Sequence, residues 1–229
     1  MPFAGKLDSM RVVGVDGCRD AWAGVTLSNG RFERAMLLPS LVDVLGAEPE
    51  ATVVAVDIPI GLPEAGFRAA DLEARQFVGP RRHSVFLTPP RDAVEAPTYP
   101  EAAVAARRLT GAGLSRQSYG LRSKILEADA LADDRIYEVH PEVTFRAIAG
   151  EPLAMGKKTG GGALLRLRLL EHVGISLPTD LGRAAIAPLD DLLDASAAAW
   201  SAHRIATGQA ETLPAGLSAA SRPEPAIWY

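Results

Sequence analysis

Cys18 is the only cysteine in the chain. A single thiol excludes an internal disulfide and a cysteine-rich zinc site. A metal here would be held by oxygen, with or without histidine, which favours hard ions such as Mg²⁺ or Mn²⁺. Long apolar runs are also missing: nowhere do about eighteen apolar residues follow one another, as a membrane-spanning helix requires. The opening stretch MPFAGKLDS has no apolar core of signal-peptide length, so the expected compartment is the cytoplasm. Charge of one sign is not in large excess either. Lys and Arg number 24 against 28 Asp and Glu, a net charge of -4, which is not that of a generic nucleic-acid coat.

What is present is apolar material, 48% of the 229 residues, ample for one large core. The expected organisation is a single domain over 10–208, a helical insertion at about 66–134, and a C-terminal tail over 209–229 with little pattern that drapes over the body. Charge is unevenly spread. From Arg68 to Lys124 there are ten Lys or Arg against five Asp or Glu, a segment charge of +5 that leaves -9 elsewhere. Such a segment is either a solvated helical surface or a wall facing phosphate.

Val12 to Val15 reads as a buried strand and Trp22 to Ser28 as a second, with Asn29-Gly30 as a two-residue hairpin turn into a third, Arg31 to Leu38. Ser40 is an N-cap for a short helix through Leu45. The β-branched run Thr52 to Val56, ending in Asp57-Ile58-Pro59, then suits a central parallel strand covered on both faces. Helices are expected at Ala69 to Phe77, Glu101 to Leu109 and Ser115 to Leu131, with five prolines breaking the stretch from Gly79 to Pro100. A short strand, Ile136 to Val139, precedes helices starting at His140-Pro141, Ala163 and Leu189. The order is βββαβ, a helical insertion, β, then α.

The acids fall at element ends. Asp16 ends the first strand, Asp57 the fourth, Glu138 lies in the fifth, and Asp190, Asp191 and Asp194 open the last long helix. In an open α/β sheet, ligands gather outside the carboxyl ends of strands where chain order reverses. Asp16 and Asp57 are candidates to face each other there. Two carboxylates about 4 Å apart repel by roughly 4 kcal/mol at an effective dielectric near 20, and a divalent cation removes the conflict. Each aspartate alone has a simpler reading as a turn or helix cap. Together they need a common cause.

The βββαβ start with Asp16 and Asp57 resembles the ribonuclease H-like fold. More closely, GVDGCRDAW, VDIPIGLP, RRHSVF, YEVHPEVTF and DDLLDASAAA resemble successive motifs of the domain of unknown function 429 family, described as a predicted ribonuclease H-like nuclease; the similarity runs from about Arg11 to Gly208. The resemblance implies a mixed α/β sheet, three antiparallel strands then parallel ones, flanked by helices. It implies a Mg²⁺- or Mn²⁺-dependent nuclease with nucleic acid as partner, and maps the metal-holding acids onto Asp16, Asp57 and Asp194. Asp191 stands three residues before Asp194, as in the resolvase helix. A further acid near the metals is Glu138, ranked first, or Glu142, or neither. The alternatives are a nucleotide-binding or phosphotransfer protein of the actin and sugar-kinase type, which lacks its usual Ser or Thr after Asp16-Gly17, and a catalytically silent binding module.

Other polar residues extend this picture. His140 in EVHPE is a metal ligand, a base, a phosphate contact or only a helix cap. Lys157 and Lys158 precede Thr159 and Gly160-Gly161-Gly162, with the wrong spacing for a Walker site; the stretch is either an exposed linker or a mobile loop that closes over phosphate. Arg81 and Arg82 begin the basic wall, which Arg107, Arg108, Arg116, Arg122 and Lys124 would continue. No base is patterned beside Cys18, so a catalytic thiol is not expected. Trp22 reads as core or rim packing, and Leu164, Leu165, Leu167, Leu169 and Leu170 as one buried helix face.

Overall fold

The computed structural model describes residues 10–131, 133–217 and 225–229. The opening nine residues, on which the expectation of no export signal rests, lie outside that set, as does part of the expected tail. A five-stranded sheet is built from β1 (Arg11–Cys18), β2 (Ala21–Ser28), β3 (Arg31–Leu38), β4 (Val53–Asp57) and β5 (Ile136–Glu138), in the order β3-β2-β1-β4-β5. The first three strands pair antiparallel, and β4 joins β1 and β5 in parallel. Asn29 and Gly30 take φ of 51° and 77°, the two positive values that a two-residue hairpin turn with the right twist requires.

Helices are α1 (Leu41–Ala47), α2 (Ala69–Phe77), α3 (Arg91–Glu95), α4 (Tyr99–Thr110), α5 (Arg116–Gly120), α6 (Arg122–Asp129), α7 (Pro141–Ala149), α8 (Gly160–His172) and α9 (Leu189–Ala206). Consecutive valines in β1 and β4 are buried because both sheet faces are covered. Val12, Val25 and Ala55 pack on the α9 side with Leu193, Ala198 and Ala202. Val13, Val15, Val54 and Val56 pack on the other side with Leu41, Val44, Ile125 and Ala128 of α1 and α6. The insertion between β4 and β5 holds α2 to α6; α6 and, through Val94, α3 join the cluster on that second sheet face, while Ala70 and Ala74 of α2 pack with Val143 and Ile227. Among the described residues, no helix is long and apolar enough to cross a membrane.

Three expectations change. The single helix expected over Ser115 to Leu131 is two, α5 and α6, broken at Gly120-Leu121, where the low helix propensity of glycine ends the first. The leucine cluster is not one buried face: Leu170 is buried but Leu164 is 57% exposed, and a charged side chain among them, Arg166, is fully buried as well. The tail is also more than a drape. β6 (Thr212–Leu213) pairs antiparallel with β7 (Ile227–Trp228), Val139 bridges to Trp228, and Ile227, Trp228 and Tyr229 are buried against Phe77 and Tyr137.

Candidate functional site

The register places Asp16 directly beside Asp57 at the carboxyl ends of β1 and β4. Side chains alternate along a strand, so Asp16 points to the same face as Gly14, the face covered by α9. A Cβ on Gly14 would lie 1.9 Å from the Ala199 nitrogen and 2.2 Å from the Ala195 oxygen. Glycine is what lets α9 lie against the strand backbone, and that close crossing brings Asp194, one residue before Ala195, down onto the pair. Asp16 is 6% exposed and Asp194 only 2%.

Water therefore screens these acids poorly. Burial, then the charges of Asp57 and Asp194, hold the Asp16 carboxyl well above the usual range. Burial lifts Asp57 to about 6 against the opposing pull of Lys157 and of a hydrogen bond with Asp16. Burial also lifts Asp194 to about 7, again opposed by Lys157. The counter-charge comes from the loop before α8, where the Lys157 ammonium donates to Asp194 Oδ2 and feels Asp16 and Asp57 as well. Burial lowers the Lys157 pKa, but the carboxylates outweigh it and leave it raised. Among the described residues, no three carboxylate, imidazole or thiol groups already close around one point as a metal cage. The ammonium supplies the positive charge the acids need.

These groups line one cleft of about 380 Å³, together with Asp190, Asp191, Lys158, Arg81, His140 and Glu142. Asp191 sits half-buried on the rim, its pKa raised by burial and by Asp190. His140 occupies the N-cap position of α7 but makes no side-chain cap bond, and burial lowers its pKa, leaving it neutral. Its Nδ1 has no partner among the described residues.

Glu138 does not line the cleft. Its register partner in β4 is Val56, one step short of Asp57, so it points to the opposite face of the sheet. There it accepts from Arg68 Nη1 at 2.7 Å, Arg68 Nη2 at 2.6 Å and the Ile60 nitrogen at 2.7 Å. Glu142 stands in its place at the cleft, where Arg166 donates to Oε1 at 2.5 Å and Arg81 at 3.3 Å. Glu142 Oε2 is buried with no partner among the described residues. The arginine pair that orients Glu142 is not legible in sequence, because Arg166 sits in what reads as a leucine face.

The basic wall is mostly absent. Arg68 is buried against Glu138 and Asp71, Arg91 pairs with Asp129, and Arg108 with Asp92. Arg116 and Arg122 lie over Tyr99 and Tyr119, and Lys124 lies over Trp22 while donating to the Ala21 carbonyl. Arg82 is exposed outside the cleft, which leaves Arg81 as the insertion's guanidinium on it. The glycine run is not a mobile loop. It forms the first turn of α8, capped by Thr159, and a Cβ on Gly162 would lie 2.0 Å from the Gly156 oxygen. Cys18 is buried with a raised pKa, the opposite of an activated thiol.

No curated protein and no solved structure matches the chain significantly. A family profile described as "Protein of unknown function (DUF429)" matches residues 14–218, a span that contains every cleft residue named above. The chain belongs to that family.

Proposed function

We propose that this protein is a Mg²⁺- or Mn²⁺-dependent nuclease of the ribonuclease H-like class, hydrolysing nucleic-acid phosphodiester bonds. One observation carries the reading: Asp16 and Asp194, both buried, and the half-buried Asp57 line one cleft, and their mutual charge is compensated by a lysine ammonium. The strand order β3-β2-β1-β4-β5, antiparallel then parallel, supports the fold assignment. The donor set fits a hard divalent ion: every candidate is a carboxylate, burial makes their unneutralised charge costly, and Glu142 Oε2 is an unfilled acceptor at the border.

Asp16, Asp57 and Asp194 would hold the ions, with Asp191 on the rim and Glu142 in support. When bound, divalent ions there would lower the pKa of an attacking water and stabilise charge on the leaving oxygen. The remaining chemistry belongs to the chain. Lys158 and Arg81 line the cleft as cations that bind and orient phosphate oxygens. Lys157 serves as counter-ion to the acids in the metal-free protein and becomes a phosphate contact once another cation displaces it.

The test is cleavage of single-stranded, duplex, hybrid and branched substrates with and without Mn²⁺, alongside melting curves. Metal-dependent cleavage supports the reading. A metal-induced rise in melting temperature without cleavage favours a silent binding module, or the phosphotransfer alternative if a nucleotide is needed. No metal response at all ends the nuclease reading.

A further inference from the structure

A second cavity of about 470 Å³ opens within the helical insertion, and His83, Ser84, Phe86 and Gln117 line both it and the acidic cleft. We infer that this cavity receives a nucleobase, so that the substrate is a nucleotide with its base unstacked: a single strand, a strand end or a base turned out of a duplex. This rests on the nuclease reading of the cleft for the position of the phosphate.

Position comes first. A ligand whose phosphate lies among Lys158, Arg81 and the acids continues across the shared rim into the insertion. The cavity beside β3, about 670 Å³ and lined by Phe32, Met36 and Pro178, shares no residue with the cleft and has no such anchor. The size suits a small-molecule site, for which roughly 300–1,000 Å³ is usual.

Chemistry comes second. Phe67, Phe86, Pro89 and Pro90 give the cavity apolar faces, and aromatic faces are what proteins use to hold an unstacked base. Gln117, exposed at the shared rim, offers a carbonyl acceptor and an amide donor, the pair that reads a base edge. Arg75 adds positive charge to the wall. A purely apolar ligand would make use of neither group.

The walls are also fixed in advance. Asp71, 2% exposed, is held by Arg68 and accepts from the Thr88 nitrogen at 2.8 Å. Arg75 Nε donates to the Val85 carbonyl at 2.7 Å, and Tyr99 Oη to the Leu114 carbonyl at 2.8 Å. Prolines and buried ion pairs therefore shape the cavity before any ligand arrives, which lowers the ordering cost of binding.

Isothermal titration in Mn²⁺ tests the inference with 5′-nucleoside monophosphates against ribose 5-phosphate, neither of which has a phosphodiester bond to hydrolyse. A nucleotide should bind about tenfold tighter or more, the low end of what a stacked base contributes. Phe67→Ala should erase most of that preference while leaving Mn²⁺ affinity unchanged, and Gln117→Ala, at an exposed position, provides a variant that keeps the fold. Equal affinity of the two ligands, or a preference untouched in both variants, overturns the cavity but leaves the nuclease reading standing where Mn²⁺ still binds. A nucleotide preference in protein that binds no Mn²⁺ supports the cavity and sinks the nuclease reading.

Discussion

Gly14 of β1 meets Ala199 of α9 so closely that a Cβ on the glycine would lie 1.9 Å from the Ala199 nitrogen. The obstructing atoms, from Ala195, Ala198 and Ala199, are all backbone of α9, so no rotamer change relieves the clash. The same crossing carries Asp194 to Asp16. Gly14→Ala is therefore expected to cost more than the ~1–3 kcal/mol of ordinary overpacking, read by urea unfolding, and to abolish any Mn²⁺-induced rise in melting temperature. A loss within a few tenths of a kcal/mol would show that α9 need not touch the strand.

A pH dependence follows from the buried acids. In the folded chain Asp57 titrates at about 6 and Asp194 at about 7, whereas both start from 3.8 when exposed. Between those values the folded state binds more protons than the unfolded one, so stability falls as pH rises. Their contribution is fully present below about pH 4 and lost above about pH 7. The metal-free protein should thus be less stable at about pH 8 than at about pH 5 by a few kcal/mol. Asp194→Asn should flatten that slope. Urea midpoints across the range check it, and a variant slope equal to wild type would contradict it.

Glu138 and Glu142 should part company on mutation. Glu138→Gln weakens a buried pair and leaves Arg68 undercompensated, a loss of about 3–5 kcal/mol at the upper end, with Mn²⁺ binding unaffected in whatever protein folds. Glu142→Gln keeps an acceptor for Arg166 and should cost less stability while weakening Mn²⁺ binding. Paired melting and titration experiments separate the two; the reverse pattern would return Glu138 to the site.

Lys157→Met should bind Mn²⁺ more tightly than wild type, because the ion no longer displaces an ammonium held by Asp194. The same change should lower the metal-free melting temperature near pH 8, where the acids lose their counter-charge. Calorimetric titration and melting curves read both effects. Weaker Mn²⁺ binding in the variant would mean that Lys157 supports the ion rather than competing with it.

What sequence showed and what it hid divide along local and non-local causes. Asn29-Gly30, the valine runs of β1 and β4, and Ala69–Phe77 are legible because turn chemistry, β-branching and helical periodicity act over a few residues. Asp16 and Asp57 are legible because strand ends are. Glu138 misleads because a one-residue difference in register, invisible in the chain itself, decides which face it joins. The burial of Arg68, inside the basic segment, and of Arg166, inside the leucine cluster, stays hidden because a buried arginine is recognisable only by the carboxylate it meets, Glu138 in one case and Glu142 in the other. The closing residues Ile227 to Tyr229 hide a strand for the same reason, since β6 and Phe77 lie far away in sequence.

Asp16→Asn brings these threads to one experiment. Burial and the charges of Asp57 and Asp194 hold the Asp16 carboxyl well above its ordinary range, and a hydrogen bond joins it to Asp57. An asparagine amide can keep that hydrogen bond without a charge. The fold should therefore survive, and the metal-free melting temperature should hold or rise, because one member of a set of repelling carboxylates is gone. Loss of the charge removes a ligand that a divalent ion needs, so the Mn²⁺-induced rise in melting temperature should vanish and cleavage should fall by more than the ~10²-fold expected of a merely misplaced group. A lowered metal-free melting temperature with Mn²⁺ binding intact would identify Asp16 as a strand-end cap and remove it from the site.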